Sequence, residues 1–406
     1  MQLYIHVPFC RSKCLYCSFY SVPIGSDAAL VREYVDTLLA EIAFWGDRLG
    51  KARMDTVFFG GGTPSLLPAK AVAIILDRVR RAFDLSPHAE ISLEANPESF
   101  LAIGFAHEAA SAGITRLSLG VQSLDDALLA RLGRPHSERQ ALAAYDAARS
   151  AGFASVGMDL IWGLPGQRNK DWLLELARVA AMQPDHLSCY GLTLEEGTPL
   201  AHACACGEVA LPSEKEQASM YLDGAAYLES QGLLQYEISN FARMGFQCRH
   251  NLGYWEGQPY LGLGPAATST ISNRRWTNPQ SIGGWMDGVR SGRVADNAEQ
   301  LTPLVRVLEN VMLRLRTARG LRLKAYREIT GRDFVKDNKL LVHALHREGL
   351  LRIRNGYVRL TRNGMLVSDN ILAHLFESLE TKLLQEHENT PSSPKTADSG
   401  FFPLQP

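Results

Sequence analysis

Along the first half of the chain, short runs of β-branched and aromatic residues alternate with longer stretches of helical hydrophobic period. The runs LYIHV (Leu3–Val7), TVFF (Thr56–Phe59), EISLEA (Glu90–Ala95), RLSLGV (Arg116–Val121), SVGMDLI (Ser155–Ile161) and HLSCYGL (His186–Leu192) read as six strands. Between them, segments such as LVREYVDTLLAEIAFW and AVAIILDRVRRAF place apolar residues three and four apart, as one helix face requires. Strand and helix repeated in this way imply right-handed crossovers, a parallel sheet and a partial (β/α)6 barrel of TIM type, in an α/β fold. Such barrels build their sites on the loops at the C-terminal strand ends.

After the sixth strand, Ser213 and Glu216 have the spacing of a capping box that opens a further helix. QYEISNFA and CRHNLGYWEGQPYLGLGPAATS are rich in aromatic, Gly and polar residues, and read as site-building loops. From about Thr302 helices return, and Asn355-Gly356 between two alternating runs signals a hairpin. The expected division is a barrel over residues 1–235, an extension over 236–300, a winged-helix-like domain over 301–376 and a disordered tail over 377–406.

Composition narrows the class. With 46% hydrophobic and 21% charged residues among 406, the chain is that of a soluble protein with a large core, and no run approaches the length of a membrane helix. A cytoplasmic location follows as the expectation. Charge is uneven: Arg314 to Arg362 carries fourteen Lys or Arg against four Asp or Glu. That excess suits an acidic partner protein or peripheral contact with an anionic membrane surface, with nucleic acid as the weaker alternative.

Seven cysteines, three of them in one cluster, argue against a disulfide framework in a chain this size. Cys10, Cys14 and Cys17 form a CxxxCxxC run just after the first strand. A zinc site would draw a second ligand pair from Cys204 and Cys206 or from Cys248 and His250. An iron-sulfur cluster needs no fourth thiolate when one iron is left open to a ligand. Cys189, inside the sixth strand, reads as a small buried hydrophobe.

The CxxxCxxC run in this position resembles the radical S-adenosylmethionine (SAM) superfamily. The resemblance implies a 4Fe-4S cluster on Cys10, Cys14 and Cys17 whose open iron chelates SAM, and an electron donor that reduces it. Cleavage of the sulfonium would then give a deoxyadenosyl radical. FFGGGTPS, EANPES, GVQS, LGRPH and DLIWGLPGQ extend the likeness to the oxygen-independent coproporphyrinogen III oxidase branch. In that branch the residues matching Tyr4, Gly61, Gly62, Thr63, Glu94, Gln122, Arg134 and Asp159 contact SAM, and His6 is expected to hydrogen-bond near the cluster.

Two departures separate the chain from the oxidase. A fourth cysteine of the oxidase, two residues after the third, is Phe19 here, and only nine residues precede Cys10 where the oxidase has a long arm. Both match the sister HemW family of heme chaperones, as does HNLGYW, with His250, Asn251, Tyr254 and Trp255 in an HNxxYW pattern. That resemblance implies heme as a further cofactor, acceptor hemoproteins as partners, and His250 as axial ligand, with Cys248 the competing thiolate. The alternatives are oxidative decarboxylation of coproporphyrinogen III and nucleic-acid binding by the basic domain. A homodimer stands beside the monomer as a candidate working unit.

Overall fold

The computed structural model describes residues 1–25 and 27–389, with side chains to 379. Its centre is a parallel sheet of the six expected strands in chain order: β1 (Gln2–Val7), β2 (Arg53–Gly61), β3 (Asp84–Ala95), β4 (Arg116–Gln122), β5 (Ser155–Trp162) and β6 (His186–Gly191). Side chains alternate across each strand. One set, including Leu3, Ile5, Val7, Val57, Phe59, Leu93 and Leu117, is fully buried against the outer helices. The other set faces the lumen and includes Tyr4, His6, Phe58, Glu94 and Asp159. Helices Ala28–Leu49 and Ala69–Ala82 pack side by side on the outside of the sheet, burying Leu38, Ile42, Val72, Ile75 and Val79. Each such aliphatic side chain contributes about 1.5–3 kcal/mol on burial.

Both sheet edges are extended. Tyr260–Leu263 pairs parallel to β1, with Leu3 opposite Leu261 and Ile5 opposite Leu263, and antiparallel strands Thr268–Ile271 and Arg274–Thr277 follow it. On the other edge Asn240–Ala242 runs antiparallel to β6. The two segments read as loops therefore carry strands, and the second also carries helix Arg249–Trp255. Helix Glu214–Ser230 is capped by Ser213, which accepts from Glu216 N, but the reciprocal half of the box is replaced: Glu216 Oε1 accepts from Asn169 N at 2.6 Å.

The C-terminal unit has its own core around Val311, Leu315, Tyr326, Phe334, Val342 and Val358, joined by Tyr221 of the barrel. Its hairpin pairs Leu351–Arg354 with Tyr357–Leu360 across Asn355 (φ 52°) and Gly356 (φ 77°), the two positive angles that a type I′ turn demands. The last helix, Ser368–Asn389, runs past residue 376, so the chain up to 389 is helical where a disordered tail was expected. Residues 390–406 of that tail lie outside the described residues. No described helix is long and apolar enough to cross a membrane.

Candidate functional site

At the C-terminal ends of the strands the loop after β1 folds over the lumen. Ile24 N donates to Cys10 O at 2.9 Å, Leu15 N to Leu132 O at 3.0 Å, and Leu200 N to Leu15 O at 2.9 Å, so the loop is tied down along its length. Cys10, Cys14 and Cys17 are free thiols, each partly exposed. Burial pushes the Cys17 thiol up, and the nearness of Cys14 and Cys10 adds to the shift. Thiolates this close repel one another until a cation compensates them. Donors already point at two of the sulfurs: Thr63 Oγ1 lies 3.6 Å from Cys10 Sγ, and Arg134 Nη1 lies 3.4 Å from Cys14 Sγ.

The glycine turn after β2 presses on the same loop. Gly62 N donates to Val7 O at 2.8 Å and Thr63 N to Phe9 O at 2.7 Å. A Cβ on Gly61 would lie 2.5 Å from the His6 ring, and Gly61 itself sits at φ 106°. Only glycine fits there. His6 spends both ring nitrogens locally, Nδ1 3.2 Å from Tyr4 Oη and Nε2 3.0 Å from the Tyr20 carbonyl, three residues past Cys17. The expected contact of His6 near the thiols takes that form.

Two carboxylates face each other across the lumen. Glu94 Oε2 accepts from Gly61 N at 3.2 Å, and Asp159 Oδ1 accepts from Ser118 Oγ at 2.8 Å. Burial first, then the charge of Asp159, pushes Glu94 up to about 8, and burial likewise raises Asp159. Such a pair is relieved by a cation brought between its members. At the end of β4 the register breaks between Gly120 and Gln122, Gln122 takes φ 66°, and its side chain lines the cavity. Arg134 donates to Asn96 Oδ1 and to Gly120 O, both at 2.7 Å, while its Nε is buried without a partner.

Ten of the twelve expected site residues thus line one cavity of 440 Å³. The exceptions are Tyr4 and His250. Tyr4 lines an adjoining cavity that shares Phe19, Gly61 and Glu94 with the first. His250 was expected on a loop at the mouth. It sits instead on helix Arg249–Trp255, pushed into the barrel from the N-terminal strand ends. There its Nδ1 is 2.7 Å from Thr56 Oγ1, its Nε2 is 3.2 Å from Tyr254 Oη, and its ring stacks on Phe58 at 4.9 Å. Burial lowers it to about 3, so the imidazole is neutral. Gln2 Nε2 donates to His250 O at 2.6 Å, and a Cβ on Gly253 would meet that same nitrogen at 2.1 Å, which accounts for the glycine inside HNLGYW. Cys248 is buried, donates to Glu90 Oε1 at 3.5 Å, and is pushed up by burial to about 12.

Sequence reasoning passed over Asn96 and Glu98. Asn96 Nδ2 donates to Thr63 Oγ1 at 3.1 Å, so one amide joins the glycine turn to Arg134. Both Glu98 oxygens are buried without a hydrogen-bond partner, Oε2 lying 3.9 Å from His136 Nδ1, and Glu98 lines the cavity. Both lie within EANPES, where the strand-end pattern alone drew notice only to Glu94.

The donor set fits the groups that the sequence pattern implies. Among the described residues no three His, Cys, Asp or Glu side chains gather tightly enough for one ion. All three thiols line the same cavity, and thiolates are the ligand type of iron-sulfur clusters. The side-chain-free glycine ridge, the carboxylate pair and the unpartnered Arg134 Nε suit a zwitterion that also carries a sulfonium.

Comparison with known proteins agrees with this geometry. The radical SAM superfamily profile matches residues 4–178, and the HemN C-terminal domain profile matches residues 301–367. The chain is similar to the heme chaperone HemW of Mycobacterium tuberculosis, 37% identical across 92% of this chain and 94% of that one. The HemW of Synechocystis sp. is 39% identical across 78% of each chain. A mitochondrial radical SAM domain-containing protein 1 of Bos taurus is 36% identical across 96% of this chain and 90% of its own. Among solved structures, coproporphyrinogen III oxidase (HemN) from Escherichia coli shares the fold with TM-score 0.77 over 92% of this chain and 89% of that one, at 24% identity. With three clustered thiols at the mouth of a partial barrel of six parallel strands, and relatives above 30% identity along nearly its whole length, the chain belongs to the HemW family of the radical SAM superfamily.

Proposed function

We propose that the protein binds heme and delivers it to acceptor hemoproteins. In this reading Cys10, Cys14 and Cys17 hold a 4Fe-4S cluster, and Tyr4, Gly61, Gly62, Thr63, Glu94, Gln122, Arg134 and Asp159 form the SAM site. When bound, the cluster supplies single electrons and SAM a cleavable sulfonium. The chain's own part is to hold the loop, to place a guanidinium beside Cys14, and to set a buried carboxylate pair against a cationic ligand.

The observation that carries the choice of chaperone over decarboxylase is Phe19. It stands where the oxidase pattern has a cysteine, and it is 68% exposed on the rim of the cavity. A phenylalanine offers no ligand and no thiol. It offers an apolar face at the mouth of a cavity that Tyr190 also lines. Flat apolar ligands bind to such surfaces.

His250 as the axial ligand of heme requires a rearrangement. The imidazole is already in the neutral, ligating form, yet Nε2 must exchange Tyr254 for iron and helix Arg249–Trp255 must withdraw from the barrel. The test of the function is an anaerobic heme titration of the cluster-reconstituted protein, followed by transfer to an apo-hemoprotein and, on the same sample, an assay of coproporphyrinogen decarboxylation. Stoichiometric heme binding with transfer and without decarboxylation is expected. Robust decarboxylation would return the protein to the oxidase reading.

A further inference from the structure

The basic segment near the C-terminus takes a defined shape in the fold. In the three-stranded sheet of Leu321–Arg322, Leu351–Arg354 and Tyr357–Leu360, Arg352 stands directly opposite Arg359, and Tyr357 lies between Arg354 and Arg322. Alternation puts these side chains on one face, while Leu351, Val358 and Leu360 are buried on the other. Like charges directly opposite each other weaken an antiparallel pair. Among the described residues none of Arg352, Arg354 and Arg359 has a carboxylate partner in an ion pair, so no described carboxylate compensates this arrangement.

These three arginines converge with Arg362 on a cavity of 550 Å³ between the hairpin and helix Glu214–Ser230, whose Leu222 closes one side. Arg362 contacts Glu229 at 2.7 Å, but its Nε is buried without a partner. Four guanidiniums therefore meet one carboxylate, an excess of three positive charges.

We propose that this cavity binds a ligand with adjacent phosphate groups, of the pyrophosphate class. A single carboxylate would leave most of the excess standing, whereas each phosphate brings about 1.5 to 2 negative charges, so two of them balance it. Guanidinium forks match phosphate oxygens in paired hydrogen bonds, which ammonium groups do not. The volume lies in the range of small-molecule sites, and the lining is too polar for a flat apolar ligand. A nucleic-acid duplex is too broad to enter a cavity of this volume and would meet these arginines only from outside. The site lies outside the cluster cavity, and it stands or falls independently of the heme reading.

The test uses the full chain and calorimetric titration with pyrophosphate, orthophosphate and duplex DNA at matched ionic strength, alongside Arg352→Gln and Arg359→Gln. Pyrophosphate is expected to bind saturably at one site and at least about tenfold more tightly than orthophosphate, and each variant is expected to weaken it about tenfold. Without ligand, each variant should melt at the same temperature as the parent or slightly above it, because one of two facing cations is gone. Absence of saturable pyrophosphate binding, equal affinity in the variants, or lower melting of the unliganded variants would each overturn the proposal. So would tighter binding of duplex DNA than of pyrophosphate, or Arg352-dependent flotation with phosphatidylglycerol vesicles in a protein that ignores pyrophosphate.

Discussion

Arg134 Nη1 lies 3.4 Å from Cys14 Sγ, and Nη2 of the same guanidinium lies 2.7 Å from Asn96 Oδ1. One side chain thus ties the cysteine loop to the strand ends that face the cavity, and it places a permanent cation beside the Cys14 sulfur. A positive charge there favours the reduced, more negative state of a cluster. Arg134→Gln should therefore make the midpoint potential more negative by about 60 mV, a tenfold change in a one-electron equilibrium. A potentiometric titration followed by electron paramagnetic resonance reads this directly. An unchanged potential with an intact cluster would remove Arg134 from its electrostatic role.

The carboxylate pair gives a pH dependence with a defined sign. Glu94 has its folded pKa raised from 4.5 to about 8, with burial the leading cause and Asp159 next. Above pH 4.5 the unfolded chain releases this proton while the folded chain keeps it, so stability falls as pH rises toward about 8. Glu94→Gln should flatten that slope, by on the order of 1 kcal/mol or more, in melting curves between pH 5 and 8. A cationic ligand reverses the preference, because it favours the ionised pair. SAM affinity should rise with pH over the same window in the parent and lose that dependence in the variant.

How far the sequence carried this picture depends on the range of the forces involved. The six barrel strands and the positions Cys10, Gly61, Glu94, Gln122 and Asp159 were legible because β-branched runs and strand-end loops are local features of the chain. Strand Tyr260–Leu263 was not legible. Its four residues hold a glycine, and its pairing is with β1 some 250 positions away. Helix Arg249–Trp255 is equally hidden: at seven residues it is too short to stand alone. Glu90, on β3, accepts from Arg249 N at 3.1 Å and His250 N at 3.0 Å, and so caps the helix from a distant strand. His250 was therefore identified as a residue of interest but placed at the wrong end of the barrel.

The glycine turn supplies a steric test. Gly61→Ala meets the His6 ring at 2.5 Å and forces a side chain onto φ 106°, whereas Gly152→Ala, at φ 80°, meets nothing within 4 Å. Both should destabilise through the backbone term, on the order of 1 kcal/mol, but Gly61→Ala should cost about 2 kcal/mol more and displace His6 from Tyr20. Iron content after anaerobic reconstitution should fall in Gly61→Ala alone. Equal behaviour of the two variants would show that the turn does not brace the cysteine loop.

The decisive question about heme is whether His250 can leave its present partners. His250→Ala answers it poorly, since the variant strands Thr56 and opens a void beside Phe58, at a cost of about 2–4 kcal/mol. Tyr254→Phe answers it well. That change removes one hydroxyl, leaves the T-shaped contact of the two rings at 4.9 Å in place, and frees Nε2 of an imidazole that is already neutral. If His250 ligates heme, losing a competing hydrogen bond worth about 1 kcal/mol should tighten heme binding roughly fivefold and keep the histidine-type spectrum. If heme binds elsewhere, affinity and spectrum should match the parent, and His250 is then a structural plug of the barrel. Replacing Cys248 with Ala completes the comparison: its thiol is pushed up to about 12 and held by Glu90, so heme binding should not change. A loss of affinity there would move the ligand from the imidazole to the thiolate.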